Sequence, residues 1–88
     1  MIVQIDRQFS KDTRKINDKQ LLGQLADLIE NVQESEKISD LPNCKKLKGN
    51  KNAYRIRLRD YRIGFILENE AVVFIRFLNR KDIYKFFP

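Results

Sequence analysis

Tyr54-Arg55-Ile56-Arg57-Leu58-Arg59-Asp60-Tyr61-Arg62 is the stretch on which the reading of this chain turns. Arginine alternates with apolar residues from Tyr54 to Arg59, and Asp60 then leads into a second apolar run. Successive side chains leave a pleated backbone on opposite sides, so strict alternation marks a half-buried strand. Tyr54, Ile56 and Leu58 are expected to face a core, while Arg55, Arg57 and Arg59 line the opposite side. Guanidinium groups stay charged and present a fork that matches phosphate, so a row of them on a rigid sheet points to polyanion recognition. A solvated sheet face also carries long charged side chains, and it is the plainer reading of the same stripe.

Working outward, residues 53 to 59, 61 to 67 and 71 to 78 read as strands. Asp60 and Glu68-Asn69-Glu70 separate them and are short enough for antiparallel hairpins. Towards the N-terminus, Ile2 to Ile5 alternate weakly and predict a short first strand extending toward Phe9. Ser10 can cap a short helix over Lys11 to Ile16, and Asp18 a longer one from Lys19 to about Glu36. Leu21, Leu22, Leu25, Leu28, Ile29 and Val32 recur at spacings of three and four, which makes one apolar stripe for packing on a core. Ser39-Asp40-Leu41-Pro42-Asn43 reads as a loop, and the basic stretch through Lys45, Lys46, Lys48 and Lys51 continues it. The order β, α, α, β, β, β predicts an α+β domain, a helical hairpin packed on a small antiparallel-dominated sheet.

Eighty-eight residues allow one modest core and one domain, residues 1–88. The chain is 42% hydrophobic and 34% charged with few Gly and Pro, which is the composition of a folded domain. Its longest apolar run, Ala71 to Ile75, falls far short of the roughly 20 residues needed to span a bilayer. The first residues lack the pattern of a secretory signal, so a cytoplasmic protein without a membrane partner is expected. Cys44 is the single cysteine and there is no histidine. An internal disulfide is excluded, and Ser-His or Cys-His catalysis has no base. Basic neighbours could lower the Cys44 pKa, but a small side chain near a loop is the simpler reading. No carboxylate cluster suggests magnesium and a protein-only zinc site lacks ligands, so neither metal nor cofactor is expected.

Charge is divided along the chain. Residues 1–43 carry six Lys/Arg against eight Asp/Glu, a net of −2, whereas residues 44–88 carry twelve against four, a net of +8. The basic pI of about 9.7 therefore comes from the C-terminal half. Such asymmetry points to nucleic acid, an anionic surface or an acidic protein partner.

The blocks Lys46-Leu47-Lys48-Gly49, Tyr54-Arg55-Ile56-Arg57, Asp60-Tyr61-Arg62-Ile63 and Asn79-Arg80-Lys81-Asp82-Ile83-Tyr84, in this order and spacing, resemble the RelE/ParE superfamily of toxins from type II toxin–antitoxin pairs. The resemblance covers essentially the whole chain and implies the RelE-like βααβββ fold. Closing on Arg-Lys-Asp-Ile-Tyr, the chain looks more like the RelE branch, whose members cleave mRNA on the ribosome, than the ParE branch, which poisons DNA gyrase. It implies a metal-independent endoribonuclease acting on mRNA in the ribosomal A site. The catalytic residues carried over are Arg55 and Arg57 on the second strand, Arg62 early in the third, Arg80 after the fourth, and Tyr84. The best-known RelE-type pattern has lysines at the two second-strand positions and a longer interval before the tyrosine.

Chemically, the arginines suit holding and stabilising phosphate, and Tyr84 either orients or protonates a reacting oxygen or stacks on a base. Lys45, Lys46, Lys48, Lys51, Arg59 and Lys81 are expected to add diffuse attraction to RNA, with a solvated loop as the equally weighted alternative for the lysine stretch. Arg76 either joins the basic face or pairs with an acidic residue, and Phe86-Phe87-Pro88 is read as an anchor to the core. Tyr54 and Tyr61 fall on apolar phases and read as core. The implied partner is a cognate antitoxin, in a hetero-oligomer that binds operator DNA through the antitoxin. Two other functions stay open: a ParE-like gyrase inhibitor, and a non-catalytic partner in an antitoxin repressor complex.

Overall fold

The alternating C-terminal runs do form a meander, and the N-terminal residues close it on one side. The structure, a computed structural model, describes residues 1–88. In chain order the elements are β1 (Ile2–Ile5), α1 (Arg7–Arg14), α2 (Lys19–Glu34), a single 3-10 turn (Ile38–Asp40), β2 (Cys44–Lys46), β3 (Ala53–Leu58), β4 (Tyr61–Glu68), β5 (Ala71–Asn79) and α3 (Ile83–Phe86). One sheet has the order β1-β5-β4-β3-β2, parallel at β1–β5 and antiparallel elsewhere. The α+β class and the antiparallel-dominated sheet match expectation.

Turn chemistry sets the hairpins. Asn69 and Glu70 between β4 and β5 both have positive φ, 50° and 67°, the backbone of a two-residue turn whose twist suits flanking strands. Arg59 also takes a positive φ, 56°, so β3 ends at Leu58 and Arg59 leaves the plane of the alternating face.

Tyr54, Ile56 and Leu58 turn toward the main core as their spacing predicts. Ile56, Ile63, Phe65, Val72, Phe74 and Phe77 are buried there beneath Phe9 of α1 and Leu21, Leu25 and Val32 of α2. Tyr54 stacks on Phe65 at 5.1 Å between ring centroids, and Tyr61 on Phe77 at 4.9 Å, so both tyrosines serve packing. The opposite face carries a smaller cluster of Ala53, Ile83 and Phe87, edged by Leu47, Ile66, Ile75 and Leu78.

Several elements differ from the sequence reading. The first helix begins at Arg7, because the Asp6 carboxylate accepts the Gln8 N–H at 3.0 Å and caps it there. Phe9, expected near the end of the first strand, is instead a buried helical residue stacked on Phe74 at 5.4 Å. The second helix is capped by Asp18 as expected, with its carboxylate accepting the Leu21 N–H at 3.0 Å, and ends at Glu34. The supposed basic loop contains β2, an edge strand whose Lys45 and Lys46 are tolerated because edge strands favour charge. The short α3 was not foreseen.

Candidate polyanion-binding site

The site grows from the register of β2, β3 and β4 on the face away from α2. Lys45 lies across from Arg55, Arg55 across from Gly64, and Arg57 across from Arg62. Like charges placed directly opposite destabilise a sheet, so this arrangement works against folding unless an anion joins it.

Asn43, at φ 60° just before β2, holds the two β3 arginines. Its carbonyl accepts Arg55 Nη1 at 3.2 Å and the Arg57 backbone N–H at 3.1 Å, while its Oδ1 accepts Arg57 Nη2 at 3.1 Å. Arg62 Nη1 donates to the carbonyls of Arg59 and Tyr61 at 3.0 and 2.9 Å. Arg55 Nε is buried without an acceptor. Every partner these side chains have is a neutral oxygen.

Arg80 reaches the same place because its backbone N–H donates to the Asp60 carbonyl at 2.8 Å, which sets the turn after β5 beside the β3–β4 turn. The electrostatics reflect the same grouping. Arg62 is pushed below the usual arginine range by burial first and then by the guanidinium of Arg55, with Arg57 and Arg80 adding to it and Tyr84 opposing it. It remains a cation at neutral pH, since guanidinium does not lose its proton in proteins. Arg55, Arg57, Arg80 and Tyr84 thus all stand close enough to act on the charge of Arg62.

Within 4.0 Å, ion pairs form only at Arg59–Asp18 and Arg76–Asp12, at 3.5 and 2.8 Å. Arg55, Arg57, Arg62 and Arg80 have no carboxylate. Arg59, expected on the arginine wall, turns toward the helical side to meet the α2 cap instead. Arg76, for which two readings stood open, takes the acidic partner.

Tyr84 stands on α3 with 62% of its surface exposed. It forms one wall of an open groove of about 360 Å³, rimmed by Lys45, Lys46 and Lys48 and floored by Leu47 and Phe87. Lys51 is exposed on the loop between β2 and β3, and Lys81 on the turn before α3. The expected anchor is half realised: Phe87 is 3% exposed, whereas Phe86 is 59% exposed. Cys44 faces the core, and burial raises its thiol against the opposing effect of Arg55, so it is not an activated thiolate.

Two residues of the site escaped the sequence reading. Gly64 leaves room for Phe87: a Cβ there would lie 2.6 Å from the ring. A glycine inside an otherwise apolar strand signals such close approach. Asn43 follows a proline at a turn, a position where asparagine tolerates positive φ.

The model of the ParE toxin of type II toxin–antitoxin systems, parDE, matches residues 3–84. The chain belongs to this toxin family. Over 62 residues it is 45% identical to Toxin RelE3 of Methanocaldococcus jannaschii, covering 69% of this chain and 70% of that protein. Its fold superposes on a chain of the RelB–RelE antitoxin–toxin complex from Methanococcus jannaschii with a TM-score of 0.80 and 35% identity, covering 97% of this chain and 99% of that one. The YoeB dimer of Staphylococcus aureus shares the fold, with a TM-score of 0.72 over 91% of this chain and 97% of that chain, at 15% identity. This toxin is therefore a RelE/ParE superfamily member whose more similar relatives carry RelE names. No helix of it is long and apolar enough to cross a membrane.

Proposed function

We propose that this toxin is an endoribonuclease that cleaves mRNA in the ribosomal A site without a metal ion. The observation that carries the reading is the gathering of Arg55, Arg57, Arg80 and Tyr84 around Arg62 with no carboxylate to neutralise them. A phosphodiester supplies the missing negative charge, and its oxygens give the fork-shaped donors their acceptors.

In the reaction the ribose 2′-hydroxyl attacks the adjacent phosphorus, the bond from phosphorus to the 5′-oxygen breaks, and a 2′,3′-cyclic phosphate remains. The 2′-hydroxyl gives up its proton to solvent water and the departing 5′-oxygen gains one, so the proton count is unchanged. Arg62 and Arg80 clamp the scissile phosphate, and Arg55 and Arg57 stabilise the charge that grows on its oxygens. Arginine serves poorly in proton transfer, so Tyr84, the phenol in the cluster, orients or protonates the leaving oxygen. Weak acid–base power in the free protein suits an enzyme whose substrate is held in line by the ribosome. Lys45, Lys46 and Lys48 border the groove beside Tyr84 and attract the flanking phosphates.

The natural restraint on such a protein is a cognate antitoxin, as the RelB–RelE complex of the structural relative illustrates. An antitoxin covering the arginine face would block RNA in the cytoplasm and carry the toxin into an operator-bound complex. Gyrase inhibition is the weaker reading, because the relatives at 45% and 35% identity are named for RelE.

The test is cleavage of mRNA on programmed ribosomes, with naked RNA as control, by the natural chain and by Arg80→Ala and Tyr84→Phe. Ribosome-dependent cuts that disappear in the Arg80 variant are expected. A folded, toxic protein that makes no cuts but leaves gyrase-linked DNA breaks would reverse the assignment.

A further inference from the structure

Asp12 is the one buried charged residue, 4% exposed, and no step of the proposed reaction uses it. Its carboxylate sits at the edge of β5 beyond the end of β1. There it accepts the Phe77 backbone N–H at 2.9 Å and two donors of Arg76, Nε at 2.8 Å and Nη2 at 3.2 Å. This bidentate grip fixes the plane of the Arg76 guanidinium. The guanidinium carbon then lies 5.7 Å from the centroid of the Phe86 ring on α3, within cation–π range.

The strand is shaped for this. Gly64 pairs with Arg76 but Phe65 pairs with Phe74, so Ile75 is the extra residue of a bulge directly before Arg76. Bulges redirect the side chains beside them. Phe87 docks over Gly64, opposite Arg76 in the register. Ile83 buries the start of α3, and two further fastenings of its C-terminal end meet at one irregular point of the sheet, Phe87 in its socket and Phe86 against Arg76. A helix of four residues does not hold itself in place. The position of Tyr84, two residues before Phe86, depends on what α3 is fastened to.

We propose that Asp12, Arg76 and Phe86 form a positioning relay, in which a carboxylate on α1 orients a guanidinium that in turn orients α3 and sets where Tyr84 stands. Its catalytic consequence rests on the nuclease reading of Tyr84; its structural content does not. None of the three residues touches RNA in this scheme. They act through Tyr84.

The experiment measures amide hydrogen exchange along the whole chain, together with single-turnover RNA cleavage, for Phe86→Ala, Phe86→Tyr, Asp12→Asn and the double variant Asp12→Asn/Phe86→Ala. Phe86 is exposed, so its replacement leaves the core intact. In Phe86→Ala the amides of Lys85, Phe86 and Phe87 should exchange about two- to five-fold faster, the worth of one exposed cation–ring contact, while the β4–β5 ladder is unchanged. Cleavage should slow with RNA binding retained, and Phe86→Tyr, which keeps a ring over Arg76, should restore both readouts. In Asp12→Asn the exchange of α3 should rise beyond that of the ladder, and adding Phe86→Ala should change α3 little further, since the two sites act through one side chain. Unchanged α3 exchange in Phe86→Ala, or fully additive effects in the double variant, would overturn the relay. A natural chain that cuts no RNA would remove the nuclease reading, and the exchange comparison would still decide the relay.

Discussion

Gly64 has space for a hydrogen and little else. A methyl group there would stand 2.6 to 2.8 Å from three atoms of the Phe87 ring, closer than carbon atoms approach. Gly64→Ala should therefore expel Phe87, cost about 1–3 kcal/mol as an overpacked site does, and abolish cleavage through the displaced Tyr84. Thermal unfolding and a cleavage assay on the same sample check this; unchanged stability and rate would show that the socket is dispensable. Asp12 makes a second prediction at this scale. Burial by itself raises its carboxyl, but hydrogen bonds from Arg76 and the Phe77 N–H and the charge of Arg76 outweigh burial and hold it below its ordinary value. A depressed carboxyl stabilises the fold above its unfolded pKa of about 4, and that contribution is lost as pH falls through the folded value. Asp12→Asn should lower stability at neutral pH by about 3 kcal/mol, as broken buried pairs do, and flatten the dependence on pH below about 4. Urea unfolding across pH 2 to 7 reads both, and parallel curves for the two proteins would exclude Asp12 as the titrating group. Neither residue could be assigned its role from the sequence, because Gly64 matters through a phenylalanine far along the chain and Asp12 through a strand edge that exists only after folding.

Among the elements, α2 shows what local chemistry decides. Its apolar stripe, its Asp18 cap and its start at Lys19 were legible, since capping and periodicity involve residues within a turn or two. Asp18→Ala should cost about 1 kcal/mol by removing the acceptor of the Leu21 N–H. Arg59→Ala should cost less, about 0.5 kcal/mol at most, because the Arg59–Asp18 pair is about half exposed at both ends and is screened by water. Chemical denaturation of the two variants orders these effects, and an Arg59 loss larger than the Asp18 loss would contradict the assignment. The errors at this scale have a common cause. Ser10 looked like a helix start because it carries a capping side chain, yet Asp6 captures the Gln8 N–H first and burial of Phe9 draws the preceding residues into the helix. The strand β2 was hidden because three residues carry too little periodicity, and its existence depends on β3 offering an edge.

At the scale of the whole molecule, electrostatics sets the character of the surface. The net charge of +6 comes from the C-terminal half, whose Lys45, Arg55, Arg57 and Arg62 are set by the register of β2, β3 and β4, with Arg80 acting on the charge of Arg62. RNA binding should weaken steeply with salt, and replacing Lys45 and Lys48 by alanine should reduce the slope of log K against log salt by about 1.4, about 0.7 for each phosphate left without its lysine on single-stranded RNA. Titrations of a short RNA at several ionic strengths measure it, and an unchanged slope would assign those lysines to solvent. The sequence by itself determined the α+β class, the strand alternation, the two hairpins, and the longer helix and its cap, because all of these rest on spacing and residue chemistry along the chain. Only the tertiary structure decided which arginines are free. Arg59 and Arg76 are as basic in sequence as Arg57 and Arg62, yet folding brings Asp18 to one and Asp12 to the other, while Arg57 and Arg62 meet across β3 and β4. A side chain's charge is written in the sequence; whether a counter-charge stands beside it depends on residues up to 64 positions away.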